Sequence, residues 1–275
     1  MQNMIHFLLL AGSMLGVLML GAGLLHLIPK LGPAGRAVSA ALCRAPLLDL
    51  PITFFTVAPL FVGPILGGWI GLLAAVVAQV GTVLLWTTLH ELANPGAMNE
   101  PRIFQFSNQL VGRWRNHAAV WLTAIVTPAF WIVRLAEVFI YPPITWLIDL
   151  PKYKDADWVN VSRQKFSGLV GHDLIWCLYC DWMTGVWSLG SEMLRNVESF
   201  WCPIRFRSDK KCANCSTDFP DIHNGWVDAE GSMADVTAAL EAKYVDQRPR
   251  AWFGHPVRIT VKGSPVEETA GAVGK

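Results

Sequence analysis

Five of the six cysteines fall between Cys177 and Cys215, the strongest chemical signal in the chain. Cys177 and Cys180 form one C-x-x-C and Cys212 and Cys215 a second, with Cys202 between them. His223 follows Cys215 by eight residues, and His172 precedes Cys177 by five. Two residues between thiolates let a short turn present both to one ion, and zinc takes four such ligands in a tetrahedron. The spacing therefore predicts a structural zinc site in which Cys212 and Cys215 are the fixed members. The other two ligands are Cys177 and Cys180, or Cys202 and His223. Thirty-one residues separate Cys180 from Cys212, more than the roughly 15 to 20 of the common paired pattern. Zinc fits better than an iron–sulfur cluster, because no ferredoxin-like spacing is present. Two other readings compete: disulfides, if this half lies outside the cytoplasm, and thiols simply buried in an aromatic layer.

The same residues suggest a second chemistry, thiol–disulfide exchange at Cys177 and Cys180. A reactive thiolate needs a cation or a helix N-terminus beside it. Here the neighbour is Asp181, which opposes the thiolate, and His172 is the one helpful group nearby. Asp173 and Asp181 flank the motif and suit helix capping or support of ligands better than acid–base work.

Two further groups carry charge where the surroundings are apolar. Arg134 and Glu137 are three apart within the apolar region Ala118–Leu150, and on a helix they share a face and can pair. Ionisable groups at membrane depth mark either function or helix register, so a third reading is a lipid-modifying enzyme or transporter using Arg134, Glu137 and His90. His90 and Glu91 adjoin at the end of an apolar run, but no second His follows at the spacing of a zinc-protease helix.

The elements that position these groups follow from charge gaps. Hydrophobic residues make up 53% of the 275-residue chain and charged residues only 16%, against about 25% in soluble domains. Residues 1–150 hold seven Lys or Arg and five Asp or Glu; residues 151–275 hold fifteen and sixteen. The net charge of +1 attracts no nucleic acid. The chain thus divides near Leu150 into an apolar half and a more ordinary one.

No charge occurs from Met1 to Pro29, and Lys30, Arg36 and Arg44 follow, which predicts a retained span over 5–28 ending in the cytoplasm. Gly12 and Gly16 form a G-x-x-x-G, a weak signal of helix approach and more often ordinary membrane glycine. Leu50–Leu89 is forty residues without charge, about twice a bilayer core as helix, so a hairpin is expected with spans near 47–65 and 68–90. Its turn belongs at Gly63, Pro64, Gly67 and Gly68, on the side away from the cationic loops. Gln79, inside the second arm, is expected to bond a neighbouring helix. From Ile103 to Trp114 apolar residues recur at helical spacing, which predicts a short helix on the membrane face with arginines toward anionic headgroups. The region 118–148 fits one span, or two re-entrant arms with Arg134 and Glu137 at the apex.

Past the cysteines, Ser232 and Asp235 form a capping box for a helix through Tyr244, and Val257–Val261 alternates like a strand. Residues 263–275 read as a disordered tail. No phosphate loop, nucleophile elbow or dinucleotide fingerprint is present. The expected fold is mainly α: a polytopic helical membrane domain over 1–150 with a small Cys-rich α+β module over 151–262. The expected role is a membrane-anchored interaction or assembly factor of an inner or plasma membrane. Its expected partners are the lipid bilayer and another protein, and its C-terminal module lies in the cytoplasm, where thiols stay reduced.

Overall fold

In the computed structural model, residues 1–205, 226–246, 248–250, 260–261 and 264–265 are described. They are mainly helical. Among the described residues, three helical stretches are long and apolar enough to cross a membrane: Gln2–Lys30, Asp49–Ala93 and Arg113–Ile148. The expected α+β module is not supported. Its strand at Val257–Val261 falls largely outside the described residues. There, Thr260–Val261 (β1) pairs antiparallel with Ser264–Pro265 (β2), a ribbon too short to offer a sheet face. The expected tail, 263–275, also lies outside the described residues apart from 264–265.

The fold divides into two compact units, each made of two segments: Met1–Phe130 with Lys154–Val186, and Trp131–Tyr153 with Trp187–Lys275. Residues 154–186 thus pack with the apolar N-terminal part, whereas the change in charge density at Leu150 suggested a separate module.

In the first unit, α1 (Gln2–Leu27) packs on α4 (Ala58–Ala93). Met14, Leu18, Ala75 and Ala78 form the centre of the contact, with Phe54, Phe55 and Leu60 closing around it. The long run of α4 contains a reversal. Gly67 and Gly68 leave helical geometry, and Gly68 takes φ +54°, where a side chain would be strained. This is the hairpin turn, at two of the four residues expected. Gly63 and Gly71 face each other across it so closely that a Cβ on either would strike the other's backbone carbonyl. Small residues are what let membrane helices approach. The Gly12/Gly16 pair does not serve this purpose among the described residues: nothing lies within 4 Å of a Cβ at either.

The outgoing arm is α3 (Asp49–Thr56) followed by the start of α4. Pro59 has no N–H, so the carbonyl of Phe55, four residues before it, lacks its helical donor. Gln79 on the returning arm supplies the substitute. Its side-chain amide donates to the carbonyls of Phe55 and Thr56, each at 2.8 Å. The expectation that Gln79 bonds a neighbouring helix is met, and the bond mends a specific break.

Beyond α2 (Gly32–Leu42), and after α4, come α5 (Pro95–Met98), α6 (Ile103–Val111) and α7 (Arg113–Ala124). Gly112, at φ +91°, makes the corner between α6 and α7. Next are α8 (Thr127–Leu135), a π-helical turn (Ala136–Ile140), α9 (Tyr141–Ile148) and α10 (Asp155–Trp158). Arg134 and Glu137 lie inside this helical run, whereas the re-entrant reading set them at the apex of a reversal. The long α11 (Gly171–Trp201) and α12 (Met233–Tyr244) follow.

In the second unit, Gly190 of α11 sits against Val133 and Glu137. The capping box opens α12 as expected: Ser232 and Asp235 exchange side-chain and backbone hydrogen bonds. Val236 and Tyr244 turn inward, and Tyr244 lies near Phe200, ring centres 5.2 Å apart. Burial pushes the Tyr244 phenol up to about 12.

Replacing Gln79 with Leu leaves two carbonyls of the outgoing arm unpaired. The Gln79→Leu chain should lose about 1–3 kcal/mol per orphaned group, read as a lower midpoint in SDS or thermal unfolding of the detergent-solubilised protein.

Candidate functional site

The densest polar site of the first unit is built from residues far apart in sequence. Arg102 precedes α6, and its side chain is only 2% exposed. Its Nε donates to Asp173 of α11 at 2.8 Å and its Nη2 to Glu91, near the end of α4, at 2.9 Å. The same Nη2 also donates to the Val170 carbonyl at 2.9 Å. The second oxygen of Asp173 accepts from the backbone N–H of Phe104, and Glu91 Oε1 accepts from that of His172. The guanidinium lies 5.1 Å from the Phe104 ring. Burial opposes its charge, but the hydrogen bonds and charges of Asp173 and Glu91 outweigh that and hold the guanidinium above its ordinary range. The result is a clamp joining the end of α4, the start of α6 and the start of α11.

Histidines lie on both sides of the clamp. His26 accepts from the Trp86 indole at Nε2, 3.0 Å, so its proton is on Nδ1. His90 stacks on Trp86 at 4.8 Å and accepts the Gly171 N–H at Nδ1. The His90–Glu91 pair is therefore a point of attachment for α11. On the other side His172 is ringed by Phe104, His117 and Trp176, at 5.2, 5.2 and 6.2 Å. Among the described residues neither of its ring nitrogens has a hydrogen-bond partner. Burial lowers its pKa first, with His117 acting the same way, against the pull of Asp173 and Glu91.

The cysteine expectations fare differently. Cys212, Cys215 and His223 lie outside the described residues. Among the described residues no group of three or more His, Cys, Asp or Glu is disposed to hold a metal ion. The metal-site reading thus gains no support from Cys177, Cys180 or Cys202. All three are free thiols; Cys177 is half-buried, and Cys180 and Cys202 are exposed. Cys177 and Cys180 stand one turn apart within α11, well inside it, where the favourable field of a helix N-terminus has faded. Burial pushes the Cys177 thiol up, more than a contact with Arg163 draws it down. Arg163 was not apparent as a neighbour from sequence. Asp181 reaches back to cap the turn at Arg163, accepting the N–H groups of Ser162 and Arg163 at 2.9 and 3.0 Å and pairing with the Arg163 guanidinium at 2.8 Å. Asp173 and Asp181 both fill structural roles.

In the second unit Arg134 and Glu137 pair at 2.8 Å, each 1% exposed. Also in that unit, Tyr153 accepts from Asn196 at 2.7 Å, and Arg195 pairs with Glu192 at 3.2 Å. Burial first, then the Glu192 charge, pushes the Tyr153 phenol well above its usual range.

No family model matches the chain, and neither a curated protein nor a solved structure matches it.

Arg102→Gln removes the cation and strands two carboxylates. It should cost about 3–5 kcal/mol, seen as early proteolysis between α4 and α11 in limited digestion of the intact chain. Arg102→Lys should recover only part, since one ammonium cannot match the fork. A separate measurement addresses the thiols. Because its pKa is raised, Cys177 should alkylate more slowly than Cys180 at neutral pH and gain rate only as pH rises, followed by peptide mass spectrometry.

Proposed function

We propose that this chain is an integral protein of an inner or plasma membrane that acts as a membrane-anchored interaction or assembly factor. The observation that carries the reading is the Glu91–Arg102–Asp173 clamp. Its carboxylates are occupied by one guanidinium and by main-chain N–H groups, which is the chemistry of a rigid joint and not of proton transfer. The joint fastens α11 to the end of a helix apolar enough to span. An anchor that displays a fixed helix and a Cys-rich segment suits a partner better than a small substrate.

Contacts in the first unit support a cytoplasmic side for this segment. The Ala45 N–H bonds the Val159 carbonyl, the Val161 N–H bonds the Cys43 carbonyl, and Asp173 closes on Arg102. Residues 159–173 therefore accompany the segment after α1 that carries Lys30, Arg36 and Arg44, the cytoplasmic side by the positive-inside rule. A cytoplasmic Cys-rich segment keeps its thiols reduced. That supports a zinc ion on Cys212 and Cys215, completed by Cys202 and His223, as the element that docks the partner.

Alkaline carbonate washing of membranes carrying the full chain tests the anchor. The chain should stay in the pellet; release to the supernatant refutes a spanning protein. Elemental analysis of the purified chain tests the metal, with about one zinc per chain expected and loss in the Cys212→Ser/Cys215→Ser variant. A metal-free wild-type chain removes the docking element. In mild detergent the chain should migrate within a hetero-complex, and migration alone from native membranes overturns the assembly role.

A further inference from the structure

The hairpin sets a depth scale for the first unit. Gly63 faces Gly71, and Phe55 and Thr56 bond Gln79. Carried down the arms, that register brings Asp49 level with about residue 85, so the turns at 43–48 and the helix end at 89–91 lie at the same end of the hairpin. The α11 helix meets this level twice. At 171–173 it meets His90, Glu91 and Arg102. At Asp181 and Gly185 it meets the segment 158–163, whose Val159 and Val161 are bonded to Ala45 and Cys43. The two meeting points are about ten residues apart, about 15 Å along a helix. A helix touching one depth at two such points runs across the end of the hairpin, not along it.

The start of the third apolar stretch keeps company with α11. His117 meets His172 at 5.2 Å, Trp121 meets Trp176 at 5.3 Å, the hydroxyls of Thr127 and Tyr179 are 2.9 Å apart, and Phe130 meets Trp182 at 6.3 Å. The two segments lie side by side and point the same way, so 113–130 also runs across the hairpin end. Its contact side holds His117 and Thr127, while Leu122 and Ile125 are exposed.

The α6 helix is turned the same way round. Ser107 and Asn108 face inward with Phe104, and Asn108 accepts from Asn116 at 2.9 Å, while Gln105 and Gln109 are exposed. Its apolar stripe of Ile103, Phe106 and Leu110 faces outward, and the stripe continues into Trp114, 81% exposed. Arg113 and Arg115 stand exposed on either side of that ring. Water does not stabilise such an orientation, whereas a lipid interface does. Apolar residues, an interfacial Trp and two flanking cations are complementary to acyl chains, the headgroup boundary and phosphates, in that order.

We propose that residues 103–130 form a face seated in the headgroup layer of an anionic membrane, with Ile103, Phe106, Leu110, Trp114, Leu122 and Ile125 at the acyl boundary and Arg113 and Arg115 on lipid phosphates. The third apolar stretch then begins along the membrane surface instead of crossing from Arg113. This rests on the membrane-anchor reading and specifies the lipid it contacts.

Two measurements on the full chain test it. Amide exchange of 103–111 is compared in bilayer discs of phosphatidylcholine alone and of phosphatidylcholine with phosphatidylglycerol. Exchange should slow in the anionic discs by about fivefold per engaged arginine, and Arg113→Gln with Arg115→Gln should abolish the difference. Equal exchange in both discs overturns the lipid assignment and leaves the face to a protein partner. In sealed right-side-out and inverted vesicles, a membrane-impermeant amine reagent should label Lys30, Lys152 and Lys154 from the same side. Labelling of Lys152 and Lys154 from the side opposite Lys30 means that the third stretch crosses, and the proposal fails while the anchor reading stands. A chain that enters neither disc fails the anchor reading itself.

Discussion

A guanidinium removed from water loses several kcal/mol of hydration unless fixed partners replace it. Arg102 meets that condition with two carboxylates and a carbonyl, all between 2.8 and 2.9 Å. The partners come from separate places in the chain, so the cost of burying the charge is offset only when all of them are assembled. Position then follows from charge: the end of α4, the start of α6 and the first turn of α11 are brought to one point. The backbone N–H groups of Phe104 and His172 complete the carboxylates, so the main chain at both joints is held as well as the side chains. His90 adds a third tie through Gly171.

Along the hairpin the governing constraint is the backbone itself. In an apolar medium each unpaired carbonyl is costly, and Pro59 creates one in the middle of the outgoing arm. Gln79 repairs it from the returning arm, and the repair sets the register of the hairpin. The Gly63–Gly71 approach, which leaves no room for a Cβ, makes the same register sterically necessary. A hydrogen bond and a close contact therefore specify one alignment of the arms.

Much of this was legible in the residues. A forty-residue gap without charge is too long for one crossing, and Gly67–Gly68 was among its breakers. Gln79 was isolated enough to demand a partner, and Ser232 with Asp235 had the spacing of a cap. The clamp was not legible. Glu91 and Arg102 are 11 residues apart and Arg102 and Asp173 are 71, and no periodicity links such separations. The cysteines were legible only in part. A three-residue spacing is one turn of helix as well as a chelating loop, and Cys177 and Cys180 stand on a helix. The strand expected at Val257–Val261 rested on five alternating residues, too few to show what face they would cover.

Hydropathy leaves orientation unread, and the third apolar stretch turns on it. A window average counts apolar residues without asking which way they face. In Gln2–Leu27 they cover the helix all round, apart from one seam against α4. In Arg113–Ile148 the inward positions include His117 and Thr127 in the first unit and Arg134, Glu137, Tyr141 and Thr145 in the second. A helix with one polar seam and one apolar side has an orientation, and orientation decides between crossing a bilayer and lying on it. For α6 the spacing from Ile103 to Trp114 already gave an apolar stripe, and the fold turns it outward. Such a stripe is costly in water and is the arrangement that the proposed lipid contact requires.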